Sequence, residues 1–305
     1  MLIKSGVVAV GYEKLSRAQL KEKVDQALAL LESCRVCPRR CGADRLEDRP
    51  GVCRSGRKAR ISSYGPHFGE ESVLVGRHGS GTVFFANCNL NCVFCQNYEI
   101  SHRGEGDEVT PEQLAKIMLN LQYSGCHNIN LVSPTHFVPQ ILEALIPALE
   151  GGLKAPLVYN TGGYDEVELL RILDGVVDVY MPDIKFGDDA AGEKYLGVKD
   201  YFTAAKQAVK EMHRQVGDLD VDARGIARRG LLVRHLVLPH DLARSGTVIR
   251  FVAEEISKDT CINIMDQYYP AHRAFRYEEL SRRITAKEYR EVLSLARSLG
   301  LHNLL

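Results

Sequence analysis

The chain has no net charge, no long apolar run and no unbroken stretch that could serve as a membrane anchor. Its 39 Lys and Arg balance 39 Asp and Glu, so no global field draws it to nucleic acid. Nothing approaches the roughly 20 consecutive apolar residues of a membrane span. The apolar patch at 7–10 is too short for a signal peptide and lacks a small-residue cleavage site after it. These absences predict a cytosolic protein with no membrane partner. Cytosolic thiols stay reduced, so nine cysteines point to metal or redox chemistry rather than disulfides. Cys126 and Cys261 stand alone in apolar surroundings and read as inert core thiols. The other seven fall in two tight groups.

The more informative group is "FFANCNLNCVFCQNYE", with Cys88, Cys92 and Cys95 in the spacing C-x3-C-x2-C. Three thiolates on one loop can hold three irons of a four-iron, four-sulfur cluster, whose usual complement is four cysteines. One iron stays open, and an open coordination position marks catalysis rather than structure. The alternative is a zinc knuckle. The next ligand, His102, would give C-x3-C-x2-C-x6-H, which is not a familiar zinc spacing. Phe94 and Tyr98 flank the loop and are expected to shield a cluster from water.

The second group, Cys34, Cys37, Cys41 and Cys53 in "CRVCPRRCGADRLEDRPGVC", has the spacing C-x2-C-x3-C-x11-C. Four thiolates form a closed set, open to a structural zinc or a second four-iron cluster; unligated reduced thiols fit the close spacing least. The segment has no long apolar period, so its fold is expected to depend on metal. Between positions 35 and 60 nine Arg or Lys face three acids. That excess reads as a solvated basic surface or as a dock for an acidic electron donor.

A length of 305 residues with 45% hydrophobic content suits one large α/β domain with a small appendage. Ser16 with Gln19 forms a capping box for a helix to about Leu31. Six apolar runs follow at 82–86, 128–132, 156–159, 176–181, 231–238 and 261–265, with helix signals between them, among them Thr110, Pro111 and Gln113, and Asp165 with Glu168. One βα unit per roughly 30 residues implies parallel crossovers. A full eight-strand barrel takes about 250 residues, so the fold class is α/β, a partial parallel (β/α)6 barrel. Residues 1–60 form an N-terminal helix and cysteine-rich module, 61–280 the barrel and 281–305 a C-terminal helix packed on it. Reactive groups of such barrels gather at the C-terminal strand ends. There stand Cys88, the Ser133-Pro134-Thr135-His136 turn, Asn160, Asp183 with Lys185, Pro239-His240, and Gln267 with His272, expected to form one mouth.

These pieces resemble the radical S-adenosylmethionine (SAM) superfamily. Within it they are similar to the glycyl-radical, pyruvate formate-lyase activating enzymes, and above all to the PflX type. The resemblance covers nearly the whole chain through "CRVCPRRCGADR", "HFGEE", "GSGTVFFANCNLNCVFCQNYEIS", "PLVYNTGGYD", "VYMPDIKF", "MHRQVGDL", "LLVRHLVLP" and "INIMDQYYPAH". It implies an oxygen-sensitive 4Fe-4S cluster on Cys88, Cys92 and Cys95 whose open iron takes SAM. Reductive cleavage would yield a 5'-deoxyadenosyl radical for hydrogen abstraction, for example from a glycine of a partner protein. By position the resemblance assigns Asp183, Lys185 and Arg234 to SAM, with Asn160 at the third strand's end and His272 near the adenosyl end. It implies a low-potential electron donor of flavodoxin or ferredoxin type. One departure stands out: the Gly-Gly-Glu turn that holds the SAM amino group is replaced after Val132 by Ser-Pro-Thr-His, where backbone carbonyls or Thr135 are the expected substitutes. Rival readings are radical modification of a small molecule, RNA modification gripped by the basic module, and a non-catalytic electron carrier, which would bind its clusters through four cysteines.

Overall fold

The computed structural model describes residues 10–305, so the apolar patch at 7–10 lies outside the described residues except for Val10. After helix α1 (Arg17–Ala29) and the cysteine module come strand β1 (Ala59–His67), the short helix α2 (Ser72–Val75) and β2 (Ser80–Phe85). Then follow β3 (Asp107–Val109), α3 (Pro111–Tyr123), β4 (Ile129–Val132), α4 (Val138–Glu150), β5 (Leu157–Thr161), α5 (Val167–Ile172) and β6 (Val179–Pro182). The chain closes with α6 (Asp189–Leu196), α7 (Tyr201–Val216), β7 (Asp220–Val221), β8 (Ala227–Leu236), α8 (Ser245–Phe251), β9 (Cys261–Met265) and α9 (Ala286–Ser298).

The six expected strands are β2, β4, β5, β6, β8 and β9, paired in that order and all parallel. Every residue of β5 and β6 is buried, as befits strands covered on both faces. The sheet thus has the partial-barrel form. Three strands escape the apolar-run reading. β1 runs antiparallel to β2, β3 flanks β1, and the two-residue β7 pairs with β8. In "ARISSYGPH" polar residues, Gly65 and Pro66 dilute the strand signal. Because β1 begins at Ala59, the sheet starts inside the segment assigned to the N-terminal module.

β1's reversed direction places His67 beside Ser80, the start of β2. The chain therefore leaves β1 at the foot of the barrel, where α2 inserts Leu74 among Val158, Val179, Met181 and Leu232, all fully buried. Outside, α3 packs on α4 and α4 on α1, while α9 lies on α8.

The capping boxes at Ser16/Gln19 and Thr110/Gln113 form as read, and Thr285/Glu288 adds a third at α9. α1 ends at Ala29, not Leu31, in a tight turn closed by Leu31 N–H to the Leu28 carbonyl. Asp165 is not a cap. Glu166 occupies that position without a side-chain bond. Asp165 is buried instead and accepts hydrogen bonds from the hydroxyls of Thr135 (2.7 Å), Thr161 (2.7 Å) and Tyr159 (2.8 Å). Three donors satisfy a carboxylate that a surface cap would have left in water. Cys126 and Cys261 are buried, as expected of core thiols.

The module between Cys34 and Lys58 has no strand or α-helix. Most of its basic residues are exposed, as a solvated basic surface requires, and only Arg45 is buried, but several are tied to partners on the barrel. Arg57 grips Glu143 through two bonds (2.6 and 2.8 Å), Arg40 grips Glu166 (2.9 and 3.0 Å), and Arg39 donates to the Asn89 carbonyl (2.5 Å). Arg35, Lys58 and Arg60 also stand within ion-pair distance of acids.

Candidate functional site

A cavity of about 440 Å³ opens at the C-terminal ends of the parallel strands. Cys92, Phe94 and Cys95 line it together with Asn160, Asp183, Lys185 and Arg234. The loop after β2 brings its thiols here because the strand ends at Phe85 and the chain turns through Asn87, at φ +67°. Cys88 sits on the same loop, half-buried, its sulfur accepting the Leu90 N–H at 3.4 Å. Cys95 Sγ contacts the Ser101 hydroxyl at 3.0 Å. Burial pushes the Cys88 thiol up to about 11 and raises that of Cys92 further, against the nearby Lys185 ammonium. Thiols so desolvated ionise only with a cation to bind them, which is what a metal supplies. Cys88, Cys92 and Cys95 on one loop, two of them lining the cavity, are a donor set that fits a cluster held at three corners.

The charged part of the lining is a network. Arg234, inside β8, donates from Nε to Asp183 Oδ1 (2.7 Å) and from Nη2 to Asn160 Oδ1 (2.7 Å). It stands 3.5 Å from Glu70 Oε2 and 3.7 Å from Glu71 Oε1. Lys185 Nζ donates to Asp183 Oδ2 at 2.7 Å. Burial raises the Asp183 carboxyl, but the two cations outweigh it and hold the group below the usual carboxylate range. They are themselves held protonated by the same acids, against their own desolvation. Gly163, at φ +79°, lets the end of β5 close on β6: a Cβ there would lie 2.2 Å from the Asp183 carbonyl oxygen.

Glu70 and Glu71 had no role in the sequence reading, although "HFGEE" was among the matching segments. Burial raises Glu70, partly offset by Arg234. Glu71 also accepts from Asn263 Nδ2 at 3.0 Å, while its Oε2 is buried without a partner. The signal that pointed to them was Arg234 itself, since a cation in an apolar strand requires buried acids.

The mouth is narrower than the series of strand ends implied. Asn160, Asp183, Lys185, Arg234 and Gln267 reach the cavity. His272 is not among its lining residues. Held at φ +51°, it stacks on Tyr98 with ring centroids 5.1 Å apart and lies 4.5 Å from His102, against the cysteine loop. Thr135 spends its hydroxyl on Asp165 and Thr161, so it is not free to replace the missing Gly-Gly-Glu carboxylate. His136 is buried against the Ala86 carbonyl. His240 is exposed beside Arg282. Phe94 is buried in the cavity wall as expected of a shield.

The family model described as the Radical SAM superfamily matches residues 82–219, from β2 to the turn before β7. An uncharacterized protein of Methanocaldococcus jannaschii, MJ0674, is 34% identical over 290 residues, covering 92% of this chain and 78% of that one. A second from the same organism, MJ0808, is 25% identical over 192 residues, covering 57% and 55%. Among solved structures, Streptococcus suis SuiB bound to its precursor peptide SuiA aligns with a TM-score of 0.46 at 11% identity, over 70% of this chain and 43% of that one. Among the described residues no helix is long and apolar enough to cross a membrane.

Proposed function

The chain belongs to the radical SAM superfamily, and from that membership we propose that it reductively cleaves SAM at a 4Fe-4S cluster on Cys88, Cys92 and Cys95 to abstract hydrogen from a substrate. The observation that carries this reading is one cavity lined both by thiols and by the Asp183, Lys185, Arg234 and Asn160 network. A cluster held by Cys88, Cys92 and Cys95 would supply the electron that splits SAM into methionine and the 5'-deoxyadenosyl radical. The protein's part is binding and orientation. Lys185, which lines the same cavity as Cys92, suits the SAM carboxylate. Asp183, kept ionised by its two cations, suits the ammonium or ribose hydroxyls, and Arg234 fixes the Asp183 and Asn160 side chains. Phe94 excludes water beside the thiols.

Anaerobic reconstitution with iron and sulfide, then addition of SAM and a strong reductant, tests the reading by chromatography of 5'-deoxyadenosine. Cluster-loaded protein that binds no SAM and yields no 5'-deoxyadenosine overturns it. The finer proposal is that the hydrogen comes from a glycine of a partner protein, with a flavodoxin- or ferredoxin-type donor feeding the cluster. Incubation with candidate glycyl-radical proteins should then give the doublet electron paramagnetic resonance signal of a glycyl radical. Turnover of SAM without that signal for any candidate would leave small-molecule chemistry in its place.

A further inference from the structure

Arg45 lies in the cysteine module and is completely buried. Its Nε donates to the Gly56 carbonyl at 3.1 Å, one Nη faces Cys34 Sγ at 3.9 Å, and the guanidinium stands 5.9 Å from the centre of the Phe137 ring. Nη2 has no partner, and among the described residues no Asp or Glu forms an ion pair with this side chain. A guanidinium does not shed its proton, and an unpaired buried charge is strongly destabilising. Arg57 and Arg234, by contrast, each meet acids. Arg45 meets a thiol, Cys34, and Cys37, Cys41 and Cys53 belong to the same short segment. The backbone closes on the same group, for a Cβ on Gly51 would lie 2.8 Å from Cys41 Sγ.

We propose that Cys34, Cys37, Cys41 and Cys53 bind an anionic metal–thiolate centre and that Arg45 is its built-in counter-charge. Four thiolates outnumber the positive charge of a zinc ion or of an iron–sulfur cube, so either centre is a net anion in need of a buried cation. Neutral thiols would leave Arg45 unbalanced. Among the described residues no three His, Cys, Asp or Glu side chains meet closely enough to hold a single ion, which favours a cube, whose thiolates stand farther apart than those of one ion. The centre also underpins the catalytic loop. The Arg54 carbonyl accepts from Asn87 Nδ2 at 3.3 Å, and its guanidinium donates to the carbonyls of Ser101 (2.9 Å) and His102. The proposal does not depend on what reaction the cavity performs.

The test uses full-length protein carrying Cys88→Ala, Cys92→Ala and Cys95→Ala, loaded anaerobically with iron and sulfide in one arm and zinc in the other. Metal analysis after desalting should find about one four-iron cluster per chain in the first arm; about one zinc in the second arm with no cluster in the first would overturn the cube. Adding Arg45→Met, which keeps the bulk and removes the charge, should weaken metal retention against a chelator about tenfold or more, while Arg45→Lys should keep most of it. Should Arg45→Met fail to fold, the triple variant still decides: stripping its metal should open the module to trypsin at Arg49 and its neighbours. Protein that holds neither metal, equal retention in the Met and Lys variants, or cleavage indifferent to metal would each overturn the proposal.

Discussion

At the scale of single residues, the thiols and the charge network of the cavity should fail in different ways when altered. Arg234→Ala removes the one guanidinium shared by Asp183, Glu70 and Glu71. Stranding buried acids costs about 3–5 kcal/mol, so its urea midpoint should drop sharply even without cofactor. Arg234→Lys should recover only part, since an ammonium cannot span Asp183 and Asn160 together. Cys92→Ala should leave the midpoint of metal-free protein nearly unchanged, because a buried free thiol behaves as a small apolar group, yet abolish SAM cleavage. A Cys92→Ala protein that still makes 5'-deoxyadenosine would remove the cluster assignment. The cysteines were legible because their spacing is local, and Arg234 because a charge in an apolar strand is anomalous. Glu70 and Glu71 were not. They reach the site from the foot of the barrel by the antiparallel course of β1, and no periodicity encodes that. Asp165 misled for the converse reason: Asp-x-x-Glu is a local cap signal, but three hydroxyls from the ends of β4 and β5 claimed the carboxylate.

At the scale of elements, the six parallel strands were readable because burial on both faces leaves continuous apolar runs. β1 and α2 were not, since one is diluted by polar residues and the other is a single turn of "SVLV". Yet α2 closes the barrel. Leu74 is fully buried inside the ring of strands, in a cluster separate from the outer core, so Leu74→Ala should cost about 2–5 kcal/mol through lost burial and a residual cavity. Its position just after Glu70 and Glu71 couples that loss to the site. SAM affinity should fall along with stability, measurable by equilibrium dialysis of loaded protein at a temperature where the variant is still folded. Unchanged affinity would mean that Glu70 and Glu71 hold their places without the plug. The basic segment carries a parallel lesson: sequence counts charges, but only the fold shows that Arg40 and Arg57 spend theirs on Glu166 and Glu143, fastening the module to the barrel.

For the whole molecule, two buried groups set opposing responses to acid. His136 is 1% exposed and donates from Nε2 to the Ala86 carbonyl; burial pushes its pKa down to about 3. The folded state keeps it neutral while the unfolded chain takes up a proton below about pH 6.5, so this group costs stability as pH falls, about 1.4 kcal/mol per unit. Asp178 is 2% exposed and accepts from the Gly11 and Leu157 N–H groups at 2.7 and 2.9 Å. Burial raises its pKa to about 6, those two donors opposing. Here the folded state binds the proton first, so stability rises as pH falls from about 6 toward 4, with a similar slope. Between those limits the two contributions nearly cancel. Asp178→Asn should therefore steepen the acid-side loss by about 1 kcal/mol per pH unit, read from urea midpoints at pH 4.5, 5.5 and 6.5. His136→Gln should do the reverse and make the protein relatively more stable toward pH 4.5. If both variants kept the parent's slope, the two side chains would titrate alike in the folded and unfolded chain, and acid sensitivity would have to arise from the exposed ion pairs instead.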